Sequence, residues 1–328
     1  MDPSPSAAVN MGAARPHAFP SSPARGITAR LTLAAGDIKL AHSVFALPFA
    51  LLGAFLAWRG STEAPPTISG ARFAALLGLV VICMVLARTW AMLINRLADA
   101  KFDAANPRTA RRVIASGQLA YRDGVLLAIL CALGFIAACS AFYWLQGNLW
   151  PLALCLPVLA WLALYSFAKR FTALCHVLLG TALAISPLAA ALAIAPHALQ
   201  SVMALWWLAG MVTLWVAGFD VLYALQDEQF DKRTGLHSLP AALGPSRAVW
   251  LSRAMHFAAA GCMVMVARSG SVGLLFTGAV VVAIACLIAE HVVLVRRGLA
   301  GLPLAFFTLN GVISLVLGTA GIVDVLMR

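Results

Sequence analysis

The groups in this chain best suited to chemistry are its carboxylates, which are few and unevenly placed. Only 12 Asp and Glu occur in 328 residues, and seven of them (Asp99, Asp103, Asp123, Asp220, Asp227, Glu228, Asp231) fall in two segments, 95–123 and 220–231. Asn95, Asp99 and Asp103 follow at i, i+4 and i+8, so a continuing helix presents three oxygen-bearing side chains along one face. Arg88, seven residues before Asn95, shares that stripe. Asp220, Tyr223, Asp227 and Asp231 follow at i, i+3, i+7 and i+11, a second stripe that Gly235 and Pro240 bring to an end. Carboxylate and amide oxygens without His or Cys suit Mg2+, a hard cation that keeps waters and is shared with phosphate oxygens. Two such clusters suggest two Mg2+ ions holding a diphosphate, with Arg111, Arg112, Lys169, Arg170, Lys232 and Arg233 neutralising its remaining charge. The plainer reading makes each stripe a solvated helix end whose acids pair with those bases. Two stripes at matching positions in a chain this poor in charge argue for a site instead.

The elements that position these residues are set by composition. The chain is 62% hydrophobic and only 11% charged, against roughly 25% charged in a soluble domain. It lacks the polar surface to coat a water-soluble globule and reads as an all-α, polytopic membrane protein. Runs long enough to span the hydrocarbon as helices lie near 40–58, 73–94, 125–145, 149–167, 174–195, 202–221, 248–267, 271–294 and 302–326, about nine in all. Very short links make antiparallel hairpins of the third with the fourth and of the seventh with the eighth.

Loop charge gives the orientation. The gaps after the second, fourth, sixth and eighth runs carry Arg96, Lys101, Arg108, Arg111, Arg112, Arg122, Lys169, Arg170, Lys232, Arg233, Arg247, Arg296 and Arg297; the alternate gaps carry only Arg59, Arg72 and Arg268. The positive-inside rule therefore places the amino end and the even-numbered gaps in the cytoplasm. Both acidic stripes fall on that side and can face each other across a central cavity open to it. The net charge of +11 belongs to these loops rather than to a basic soluble domain, so nucleic-acid binding is not expected. The seven Cys are scattered singly through apolar runs and read as small buried hydrophobes, with no disulfide framework.

Residues 1–36 are rich in Ala, Pro, Ser and Arg and read as a disordered tail ahead of a membrane domain at 37–328. The tail is basic, as a mitochondrial transit peptide would be, but its prolines spoil an amphipathic helix. A bacterial inner membrane, with the site facing the cytoplasm, is the favoured location.

At the acidic segments the chain resembles the UbiA-type membrane prenyltransferase family. The motif Asn-xxx-Asp-xxx-Asp after the second span reads Asn95, Asp99, Asp103; the Asp-rich motif with Tyr after the sixth reads Asp220, Tyr223, Asp227, Asp231; and a Tyr-xxx-Lys element reads Tyr165 to Lys169, followed by Arg170. The stretch IKLAHSVFALPFALLGA (38–54) is similar to the first span of the 4-hydroxybenzoate branch and its menaquinone-pathway relatives. The resemblance covers about residues 37–326, and its one departure, Asn95 for Asp, weakens no role. It implies that Asn95, Asp99 and Asp103 hold one Mg2+ and Asp227 and Asp231 the other. Lys169, with Arg170 or Arg112, would grip the diphosphate. Tyr165, Arg88, Tyr223 and Asp220 would line the aromatic pocket, with Lys39 or Arg88 meeting an acceptor carboxylate and Asp220 orienting the acceptor or taking a proton. The implied reaction is Mg2+-dependent transfer of a polyprenyl group to an aromatic carboxylic acid, 4-hydroxybenzoate or a dihydroxynaphthoate, for quinone biosynthesis. The implied partners are a polyprenyl diphosphate, the acceptor and membrane lipid, with no obligate protein partner.

The remaining polar residues read as structural. His42, His176, His237 and His256 have no helical ligand spacing, though His42 and His176 flank family-like segments. Trp58, Trp144, Trp150, Trp161, Trp206 and Trp207 lie near span ends, where an aromatic belt is expected. Glu290 and His291 read as interfacial, and Asn310 as bonding a neighbouring helix. A transporter would also carry acids in membrane helices, but near the midplane and in broken helices, a pattern this sequence lacks.

Overall fold

In hydrocarbon the backbone must satisfy its own hydrogen bonds, so apolar runs of this length become helices. A computed structural model describes residues 45–59 and 68–328, together with Thr32, Leu33 and Gly36; the described residues contain helices and turns and no strand. Among the described residues eight helices are long and apolar enough to cross a membrane, making this an integral membrane protein. In chain order the helices are α1 (Leu47–Arg59), α2 (Gly70–Ala98), α3 (Ala100–Ala105), α4 (Tyr121–Gln146), α5 (Trp150–Ala168), α6 (Cys175–Ile194), the short α7 (Ala198–Ser201) and α8 (Ala204–Ala224). They continue with α9 (Glu228–Thr234), α10 (Leu239–Leu243), α11 (Pro245–Arg268), α12 (Leu274–Arg297) and α13 (Asn310–Leu326).

The expected first span, 40–58, corresponds to the 13-residue α1. At about 1.5 Å per residue α1 covers roughly 20 Å, so eight full spans and one shorter helix stand where about nine were expected. The expected tail lies outside the described residues apart from Thr32, Leu33 and Gly36, and Lys39 and His42 lie outside them altogether.

Helix α8 is the centre of the packing. Its Leu208, Met211, Val212, Trp215 and Val216 are fully buried, and it lies chiefly against α6 and α11. From α6 the bundle continues through α1, α13 and α12 back to α11, while α2, α4 and α5 form a second group closed by α6. Small residues let these helices approach. A Cβ on Gly180 in α6 would collide with the Thr213 carbonyl of α8, and one on Gly53 in α1 with the Pro187 carbonyl of α6. The outer surface is apolar, with Leu130, Leu133, Leu156, Phe257, Leu274 and Val281 exposed where lipid would lie. Trp144, Trp150 and Trp206 are exposed near helix ends, as a belt requires. Trp58 instead stacks on Phe73 at 4.1 Å, and Trp161 donates to Thr181 Oγ1.

Glu290 is not interfacial. It is fully buried and accepts from Asn310 Nδ2 at 3.2 Å, while Asn310 Oδ1 accepts from Trp215 Nε1 at 2.6 Å. A carboxylate within a span avoids lipid by turning inward when neighbouring helices offer it donors. Asn310 does bond across helices, as expected.

Candidate active site

Helices α2, α5 and α8 all end at the same face of the bundle, because successive spans alternate in direction. Helix α2 stops at Ala98, with Asp99 as its C-cap, and the chain turns through Asp99 into α3. The i→i+4 bonds nevertheless run on, from Asp99 N to Asn95 O at 2.9 Å and from Asp103 N to Asp99 O at 2.8 Å, so the three side chains keep their shared face across a kink. The second acidic segment is interrupted in the same way: α8 ends at Ala224, a 3-10 turn covers Leu225–Asp227, and α9 carries Asp231. Residues 106–120 then fold back over the ends of α2 and α4. Val113, Ile114 and Leu119 bury themselves against Leu93, Leu97 and Ala128, and that burial holds the polar side of the segment over the acids.

The two acidic segments meet there. Asn106 Nδ2 donates to Asp227 Oδ1 at 3.1 Å, and Arg108 forks onto the same carboxylate, Nε to Oδ1 at 2.9 Å and NH2 to Oδ2 at 2.5 Å. Arg108 also lies over the Tyr223 ring. Each of the other acids has its own base. Arg112 NH1 reaches both oxygens of Asp103 at 2.7 and 2.8 Å, Arg170 NH2 reaches Asp99 Oδ1 at 3.2 Å, and Lys169 Nζ lies 3.6 Å from Asp231 Oδ2. Asn95 donates to Asp99 Oδ2 and accepts from Arg96.

The electrostatics follow from this crowding. Burial and the neighbouring Asp103 raise the Asp99 carboxyl above the usual aspartate range, against the pull of Arg170 and Lys169. Burial alone would lower the Lys169 ammonium, but Asp231, Asp220 and Asp227 outweigh it and hold the group above its ordinary value. Arg108 is likewise held up by Asp227, despite burial.

Lys169, Arg170 and Arg112 therefore stand on the acids, the pairing that the plainer reading of the stripes describes. Arg111 is exposed, Lys232 pairs with Glu228 at 2.6 Å, and Arg233 donates to the Gln229 carbonyl, so these three do not join the cluster. Sequence reasoning missed Arg108 and Asn106 as site residues. The signal was the turn-forming dipeptide Asn106-Pro107 directly after the acidic motif; Asn106 Oδ1 accepts from Arg108 N at 3.0 Å and so aims that side chain.

Below the polar cluster, towards the membrane centre, lies an apolar cavity of about 520 Å3 between α2, α4, α5 and α6, with Val80, Met84, Phe135, Leu154 and Leu183 in its wall. Arg88 and Tyr165 line it together with Trp161 and Ser186, and Arg88 Nε is buried without a hydrogen-bond partner. Tyr165 lies one helical turn before Lys169.

Whether these residues suit Mg2+ can be tested on their chemistry. The donors are all oxygens, and Asp231 Oδ2 is buried without a hydrogen bond, its one charged neighbour being the Lys169 ammonium 3.6 Å away. Among the described residues no three acids, His or Cys converge tightly enough to cage an ion. Mg2+ itself takes one or two carboxylates and completes its shell with waters and substrate phosphates.

The described residues thus form a helical membrane protein that gathers acids and bases at one end, above an apolar cavity. The chain belongs to the UbiA prenyltransferase family, whose model matches residues 46–317. It superposes on a UbiA homologue from Aeropyrum pernix K1 with a TM-score of 0.75 and 30% identity, over 87% of this chain and 98% of that one. A UbiA homologue from Archaeoglobus fulgidus bound to GPP and Mg2+ shares the fold, with a TM-score of 0.64 and 17% identity over 89% and 99% of the two chains. A 4-hydroxybenzoate octaprenyltransferase from Pseudomonas fluorescens is 29% identical over 63% of this chain and 67% of its own length. One from Francisella tularensis subsp. novicida is 32% identical over 51% and 56%; the match thus spans little more than half of the Francisella relative.

Proposed function

We propose that this protein transfers a polyprenyl group from a polyprenyl diphosphate to an aromatic carboxylic acid, with 4-hydroxybenzoate as the acceptor and Mg2+ as cofactor. The observation that carries the reading is the meeting of both acidic segments around Lys169 and Arg108, at the polar end of an apolar cavity. The names of the curated relatives favour 4-hydroxybenzoate. The Archaeoglobus homologue, bound to GPP and Mg2+, supports the diphosphate and the metal.

Asn95, Asp99 and Asp103, and separately Asp227 and Asp231, are the groups that would hold Mg2+. When bound, the metal would neutralise the diphosphate and make it a better leaving group. The chain's own contribution is a set of acids and bases that already neutralise one another. A magnesium diphosphate brings both signs of charge, so its cations match the carboxylates while Arg108, Arg112, Lys169 and Arg170 are freed for its phosphate oxygens. The prenyl tail lies in the apolar cavity, which keeps water from the allylic cation once the C1–O bond breaks. Arg88, with its unpartnered Nε, takes the acceptor carboxylate, and Tyr165 packs on the ring. Asp220 accepts the hydrogen bond of the acceptor hydroxyl and so raises the electron density at the ortho carbon that forms the new C–C bond; the C–H bond at that carbon then breaks and its proton goes to the departing diphosphate, restoring the ring. The loop charges favour an orientation with this site in the cytoplasm of a bacterium.

The test is an assay of the purified protein in lipid, with one labelled polyprenyl diphosphate and either 4-hydroxybenzoate or a dihydroxynaphthoate. Mg2+-dependent labelling of 4-hydroxybenzoate is the expected result. Labelling of the naphthoate alone would move the acceptor, and labelling of neither would overturn the assignment.

A further inference from the structure

We propose that His176 is the positioning residue for Asp220, which rests on the reading of Asp220 as the group that meets the acceptor hydroxyl. His176 is fully buried in the first turn of α6. Its Nδ1 lies 2.6 Å from Asp220 Oδ2, and its Nε2 lies 3.2 Å from the backbone nitrogen of Leu239, which donates to it. An amide N–H needs a lone pair to point at, so Nε2 carries no proton and the ring hydrogen sits on Nδ1, donated to the carboxylate. The ring is thus a neutral imidazole in one tautomer, with both nitrogens committed. It fixes Oδ2 of Asp220 and leaves Oδ1 for a hydroxyl.

The Leu239 amide is itself held in place. His237 N donates to the Lys169 carbonyl at 2.6 Å, and Cys175 Sγ approaches the His237 carbonyl at 3.5 Å. Three contacts therefore strap residues 237–239 to the corner between α5 and α6, and the imidazole runs from that strap to Asp220. The same corner carries Lys169, which faces Asp231. His176 thereby joins the end of α8, where the acceptor is to be oriented, to the loop that follows the second acidic segment.

The experiment measures kcat and the separate KM values for acceptor and prenyl diphosphate in His176→Leu, His176→Asn, Asp220→Ala and the His176→Leu/Asp220→Ala pair, alongside thermal stability in lipid. Leu removes the donor. Asn keeps an N–H near the place of Nδ1 and should restore much of the function. His176→Leu is expected to lower kcat/KM for the acceptor about 100-fold, the lower end of what a positioned proton-handling group contributes, with KM for the diphosphate within about twofold. On the Asp220→Ala background the same substitution should change turnover by less than about twofold, because two residues acting as one unit are not additive. Equal losses in Leu and Asn, or the full loss repeated without Asp220, would overturn the inference. A wild-type rate in His176→Leu beside a crippled Asp220→Ala would overturn it alone. A wild-type rate in Asp220→Ala would instead bring down the reading of Asp220 itself. If His176→Leu does not fold, His176→Asn decides: near-wild-type acceptor kinetics support the role, and a loss shared equally between both substrates refutes it.

Discussion

Arg108→Ala separates the two jobs that the geometry gives this side chain. In the free protein Arg108 forks onto Asp227, with their side chains 32% and 10% exposed. Removing one partner of a fully buried pair costs about 3–5 kcal/mol, and exposed pairs contribute about 0–1. With about a third of the Arg108 side chain exposed and Asn106 still bonded to Asp227, the loss of stability should be about 1–2 kcal/mol. That corresponds to a fall in melting temperature of a few degrees for a domain of this size. The effect on turnover should be larger, because Arg108 is also assigned to the departing diphosphate. Loss of one preorganised donor at developing negative charge costs about 10²–10³ in kcat. Arg108→Lys keeps the charge but not the fork and should fall between. The Mg2+ concentration for half-maximal rate should not rise in Arg108→Ala, since a competing cation has been taken from Asp227. The assay is prenyl transfer in proteoliposomes at saturating acceptor, with Mg2+ titrated. A folded Arg108→Ala within about threefold of wild type would mean that the pair belongs to the free protein only and plays no part in transfer.

Two further outcomes follow from other parts of the molecule. Asn310→Leu strands the Trp215 indole N–H and takes a donor from buried Glu290, each worth about 1–3 kcal/mol; a melting temperature several degrees lower, with both KM values unchanged, is expected in lipid. The raised Asp99 carboxyl has a definite sign. The folded state holds its proton to higher pH than the unfolded chain does, so the contribution of Asp99 to stability falls as pH rises through the mildly acidic range. A proton on Asp99 also removes a metal donor. The acid limb of the rate profile should therefore lie above the ordinary aspartate range at low Mg2+ and move to lower pH as Mg2+ is raised. A limb that ignores Mg2+ would break the link between Asp99 and the metal.

What the sequence made legible was whatever depends on local period and on gross composition. Charge-poor runs of about 20 residues could only be helices, and the alternation of loop charge put Asp99 and Asp227 on one side of the bundle before any contact was known. The tertiary partners were not legible. Arg108 lies five residues past Asp103 in a turn, and nothing in its spacing points to Asp227, 119 residues away; only the burial of Val113, Ile114 and Leu119 under the fold-back loop brings the two together. Arg111 and Arg112 are adjacent and alike in type, yet one faces water and the other Asp103, a difference fixed by the rotation of that loop. Glu290 was misread for the same reason, because the depth of a residue along a span is visible in sequence whereas the direction it faces depends on the neighbours.

The pairing of every ligand-type acid with a base explains how such a charged site persists at the edge of a bilayer. Four carboxylates left alone at this crowding would repel one another; burial first, and then the neighbouring Asp103, already raise the Asp99 carboxyl. Arg112, Arg170, Arg108 and Lys169 each cancel one acid, so the free site stays close to neutral without metal. A bound salt of divalent cations and diphosphate can replace these internal pairs with matched external ones, and the net charge changes little on loading. Either ion alone would break the internal pairs and leave one sign unpaired, so the two should bind together. Mg2+ ought to tighten diphosphate binding, and by reciprocity diphosphate ought to tighten Mg2+ by the same factor. Independent affinities, measured by calorimetry with inorganic diphosphate and Mg2+ in either order, would show that the pairs are not exchanged.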